Sequence, residues 1–70
     1  MVLTEQQVVS ALNSILDKPE YENIDEDEFY DFYVPDGVVT YKLAELIKKE
    51  LDLKDSVHVV KNQLDNLNLF

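Results

Sequence analysis

The stretch 25-DEDEFYDFYVPDGVVT-40 admits two folds, and the choice between them decides the architecture of this 70-residue chain. Asp25 and Glu28 have the spacing of a helix capping box, and Ile24 and Phe29 that of the hydrophobic staple beside it. On that reading a short helix runs from about residue 26 to 32. The rival reading rests on Pro35-Asp36-Gly37. Proline presets the first turn position, aspartate suits the second, and glycine accepts the positive φ that follows. Flanked by Phe32-Tyr33-Val34 and Val38-Val39-Thr40, this is a hairpin signal. The expectation is therefore a small β-hairpin, with strands near residues 29–34 and 38–40. A helical turn at residues 25–28 can precede its first strand.

On the N-terminal side the sequence speaks for a helix. Thr4 and Gln7 have capping-box spacing, and Leu3 and Val8 occupy the staple positions. Val8, Leu12, Ile15 and Leu16 recur at helical spacing, so a helix is predicted over residues 5–16, stopped by Pro19. On the C-terminal side Thr40 can cap a second helix, with Leu43, Ala44, Ile47 and Leu51 on one face. After a short connection, Asp52 or Asp55 is expected to cap a third. Val57, Val60, Leu64 and Leu67 form its apolar stripe. The whole reads as one small domain, mainly α, three helices in a winged-helix-like arrangement with the hairpin inserted at about residues 20–40.

The helix pair resembles the helix-turn-helix of winged-helix regulators, through Leu43-Ala44-Glu45-Leu46-Ile47, the turn Leu51-Asp52-Leu53, and the stripe from Val57 to Leu67. The resemblance covers about residues 38–69. It implies a DNA-binding regulator, acting as a dimer, whose phosphate contacts would come from Lys48, Lys49, Lys54 and Lys61. The family glycine is missing from the turn, and no wing follows the helix pair.

Charge argues against that implication. Residues 17–36 carry nine acids and one lysine, a balance of −8, while the other fifty carry six acids and five lysines, or −1. Nearly all of the net charge of −9 therefore sits in one block, which also holds five of the seven aromatic residues. Arginine, the main bidentate reader of guanine, is absent. A chain this acidic repels a polyanion at range.

The block instead suggests a surface for a basic protein, with Asp25, Glu26, Asp27, Glu28, Tyr30, Asp31, Tyr33 and Asp36 as its contact residues. Aromatics are enriched at interfaces, and acids steer a basic partner in. Such a surface can act as an inhibitor or regulator, and it can imitate nucleic acid toward a nucleic-acid-binding protein. The bland rival is a solvated loop that confers solubility.

Other chemistry finds no support. A calcium loop counted from Asn23 puts Glu28 where glycine belongs and Val34 where glutamate belongs. His58, the only histidine, has no nucleophile or ligand partner at a telling spacing. No catalytic residue, metal site or cofactor is assigned, and the expectation is a non-enzymatic module. Cysteine is absent, so neither disulfides nor thiolates staple the chain. The N-terminus lacks a signal peptide's basic start and long apolar stretch. No apolar run reaches the roughly 18 residues of a membrane span. A cytoplasmic chain is expected, with a homodimer conceivable through the apolar tail of Leu67, Leu69 and Phe70.

Overall fold

The structure, a computed structural model, describes residues 2–70. Its helices are α1 (Glu5–Leu16), α2 (Glu26–Tyr33), α3 (Tyr41–Glu50) and α4 (Val57–Leu67). One-turn 3₁₀ segments at Pro19–Tyr21 and Pro35–Gly37 lead into and out of the α2 region. Among the described residues there is no strand, so the expected hairpin and the winged-helix arrangement are both corrected.

The reason lies in Asp31. A strand over residues 29–34 alternates its side chains, placing Asp31 on one face with Phe29 and Tyr33. Burying that face would bury an unpaired carboxylate. A helix places Phe29, Tyr30, Tyr33 and Val34 on one side and turns Asp31 and Phe32 to solvent. Phe29 is then 1% exposed and Val34 is buried, while Asp31 stays in water. Nor did the hairpin offer much in return, since a lone two-stranded ribbon is marginal in water.

The proline turn is real but joins two helices. Asp36 and Gly37 take left-handed backbone, with φ of 53° and 79°. Beyond them an extended segment buries Val39 and delivers Thr40 to the end of α2. The Thr40 hydroxyl donates to the Tyr33 carbonyl at 2.7 Å and accepts from the Leu43 amide at 3.2 Å. One side chain thus satisfies a free amide at the start of α3 and gives the Tyr33 carbonyl at the end of α2 a second donor, beside the Thr40 amide at 3.3 Å.

The other caps follow local chemistry. Thr4 and Gln7 form the reciprocal capping box, with Leu3 and Val8 buried beside it. Asp25 precedes α2 but makes no side-chain cap bond. The cap of α4 is Ser56, accepting from the Val59 amide at 3.3 Å, in place of the aspartates expected there. The turn after α3 needs no glycine because Asp52 itself adopts φ 53°. Asp52 donates its amide to the Lys49 carbonyl, and Leu53 donates to Lys48. This is a Schellman closure, sealed by buried Leu53.

The core runs through the middle of all four helices. Val8, Ala11, Leu12 and Ile15 of α1 join Leu43, Ala44 and Ile47 of α3 and Val60 and Leu64 of α4. Leu16, Leu51, Val57 and Leu67, also expected in the core, are half-buried at its edge. Phe29 is the deepest contribution of α2. Two polar ties close the assembly. The Leu3 amide donates to Gln63 Oε1 at 2.6 Å, and Lys18 meets Glu50 at 2.8 Å. Helix α3 packs against both α1 and α4, and α2 joins the same core through Phe29.

Candidate docking surface

Helix α2 begins where the acid is densest. Asp25 stands at its N-cap, and Glu26, Asp27 and Glu28 fill its first turn. Acids there face the positive end of the helix dipole, which offsets part of their mutual repulsion. All four are exposed, as are Asp31 on the outer face and Asp36 in the following turn. Among the described residues, no ion pair reaches any of these six acids.

The lysines are engaged elsewhere. Lys18 is paired with Glu50, Lys54 with Asp52 at 3.7 Å, and Lys61 with Asp65 at 2.7 Å. The hydrogen bond from Lys61 to Asp65 raises the lysine's pKa above its ordinary value. Lys42 sits 4.3 Å from the centre of the Phe32 ring, a cation held on an aromatic face. Lys48 and Lys49 line a groove of about 500 Å³ between the end of α3 and the start of α4, together with Glu45 and Asp52. Lys54 and Lys61 are not among the residues that line it.

The aromatics divide into a floor and an exposed ring. Phe29 forms the floor, with Tyr33 at 4.6 Å, Tyr30 at 5.4 Å and Tyr21 at 5.7 Å between ring centres. Tyr30 and Tyr33, expected on the contact surface beside the acids, turn inward and are half-buried. Tyr30 meets Phe70 at 6.0 Å on the underside of α2. Burial raises the pKa of both hydroxyls, helped by the nearby Glu26 charge for Tyr30 and by the Tyr21 hydroxyl for Tyr33.

The residue that sequence reasoning missed is Phe32. It is 56% exposed and, with Ile24, Glu28, Phe29 and Tyr33, lines an open groove of about 370 Å³. Glu28 and Phe32 are four apart, a helical stripe lying beside the Phe29 and Tyr33 stripe. That signal was present in the sequence but exists only if the segment is read as a helix.

No protein-family profile, curated protein or solved structure matches the chain. The surface is thus described by its own chemistry: the unpaired acids of α2 and, on the same helix, an aromatic groove with Lys42 against its Phe32 ring. Two other features lie outside it. The Tyr41 hydroxyl meets His58 Nδ1 at 2.8 Å across α3 and α4. The C-terminal tail folds back, so that Leu69 and Phe70 line a second groove with Val9, Leu12 and Tyr30. No helix among the described residues is long and apolar enough to cross a membrane.

Proposed function

We propose that this chain is a non-enzymatic docking module that acts in the cytoplasm, meeting a basic protein through the outer face of α2 and inhibiting or regulating it. The observation that carries the reading is the division of charge. The acids of α2 stand without ion pairs while three of the six lysines are spent on acids elsewhere and a fourth on Phe32. A surface serving only solubility gains nothing from such segregation, whereas a steering surface depends on it. A nucleic-acid-binding protein is one basic partner that such a surface suits, since a row of carboxylates along α2 resembles a row of phosphates in charge.

The test compares two variants that lose equal charge. One neutralises Asp25, Glu26, Asp27 and Glu28; the other neutralises Glu5, Glu45, Asp52 and Asp65. Each is titrated against polylysine over a range of salt. The first should lose most of the salt-dependent affinity and the second should keep it. Equal losses would mean that net charge, and not the α2 surface, does the binding.

DNA binding by α3 and α4 is the rival proposal. In its favour, Lys48 and Lys49 share one groove beside the start of α4. Failure to retard any duplex in a low-salt gel shift would remove it.

A further inference from the structure

The groove inside the acidic surface is not itself acidic. Ile24, Phe29, Phe32 and Tyr33 make its walls and floor, and Glu28 is its one carboxylate. Two of these apolar side chains, Phe32 and Ile24, are exposed at 56% and 39%. Phe32 is also held in place, since Lys42 lies against its ring. An exposed aromatic with neighbours on its ring, Lys42 at 4.3 Å and Tyr33 at 4.9 Å, is the kind of residue that serves as an interface anchor. On the same helix Asp25, Glu26, Asp27 and Asp31 are open to solvent, and Asp25 shares one face with Glu28 and Phe32. Electrostatic docking alone needs the acids but has no use for the groove.

Resting on the docking reading above, we infer that the partner contributes a basic amphipathic segment that seats one aliphatic or aromatic side chain against Phe32 and Ile24. Its lysine or arginine head groups then meet Glu28 at the groove and the other exposed carboxylates of α2. The charge of α2 specifies a cationic segment, and the apolar walls specify an anchor within it. At about 370 Å³ the groove lies near the lower end of the roughly 300–1,000 Å³ range of ligand sites, room for an anchoring side chain or two.

Two peptides separate this inference from simple charge attraction: a short lysine–serine repeat, and the same peptide with one central serine replaced by leucine. Titrated into the protein, the leucine peptide should bind about tenfold tighter, the worth of one buried side chain. That advantage should persist at salt high enough to weaken both peptides. Phe32→Ser should erase it while leaving the lysine–serine affinity nearly intact, and Ile24→Ser should do the same without disturbing the Phe32 ring. Equal affinity for the two peptides, or an advantage surviving both variants, overturns the groove and leaves electrostatic docking standing. No binding of either peptide at low salt overturns both.

Discussion

Among the described residues four take left-handed backbone, Asp36, Gly37, Asp52 and Asn68, and one of them is glycine. At Gly37, φ is 79°, and an added Cβ would lie 3.5 Å from the Phe70 carbonyl oxygen, an ordinary contact. Space is therefore not what requires glycine there; the backbone is. Gly37→Ala should cost about 1 kcal/mol through strain alone, measured by urea denaturation. Asp52 shows the converse. It holds φ 53° at the end of α3, a conformation that aspartate tolerates and glycine prefers. Asp52→Gly should stabilise by roughly 0.5 kcal/mol, while Asp52→Val should destabilise by roughly 1 kcal/mol or more. The missing glycine in that turn, legible in the sequence, was thus no sign that the turn was absent. Tyr30 and Tyr33 give the residue scale a pH dependence. Burial raises both hydroxyl pKa values above the ordinary 10.0. Above pH 10 the unfolded chain gives up those protons while the folded chain keeps them. Stability should therefore fall as pH climbs from 10 through the raised values. Replacing both by phenylalanine should remove the late phase of the tyrosinate absorbance titration and flatten that alkaline decline.

Between elements, the junction of α2 and α3 carries the most information per residue. Thr4 caps α1 with a local capping box, so Thr4→Ala should cost about 1 kcal/mol. Thr40 both caps α3 and donates to the Tyr33 carbonyl of α2. Thr40→Ala should cost about 1.5 kcal/mol, since it removes the cap of α3 and the shorter of two hydrogen bonds to the Tyr33 carbonyl. Thr40→Ser should recover most of it, and equal costs for Thr4→Ala and Thr40→Ala in urea would deny Thr40 its second role. This junction also explains what the sequence could and could not show. The α1 helix was legible because its cap, staple and apolar stripe agree with one another. The helix pair was legible for the same reason, although Ser56 and not an aspartate caps α4. The α2 segment was legible only as one of two readings: cap and staple spacing gave a helix over about residues 26–32, but Phe-Tyr-Asp-Phe-Tyr-Val has the aromatic composition of a strand and is followed by a hairpin-like turn. A turn signal states that the chain reverses and says nothing of what it connects. The deciding facts, Phe29 in the core and Asp31 in water, belong to tertiary packing. With the hairpin preferred, the inward turn of Tyr30 and the exposure of Phe32 were not visible.

For the molecule as a whole, the location of the acidic block was legible in composition, but its lack of counter-charges was not. Pairing depends on which lysines come near, and the fold brings Lys18, Lys54 and Lys61 to other acids. The Lys54–Asp52 pair is open to water and the other two are half-exposed, and surface pairs contribute about 0–1 kcal/mol each. The α2 acids, by contrast, crowd one another along a single turn with only the helix dipole to offset them. In a chain of net charge −9 the repulsive part outweighs the small pairs, so the folded state is held against its own charge. Screening should then stabilise it. Raising NaCl from near zero to a few tenths molar should increase stability on the order of 1 kcal/mol, several degrees in Tm for a domain this small. The variant neutralised at Asp25, Glu26, Asp27 and Glu28 should start more stable at low salt and lose most of that response. Thermal melts of both proteins across the same salt series check this. A parent whose Tm falls with salt would mean that its ion pairs and helix dipoles outweigh the repulsion. An equal rise in the two proteins would place the repulsion outside α2. The expected pattern is instead that of a surface whose charge costs folding energy, which is reasonable to retain only if those carboxylates meet cations from elsewhere.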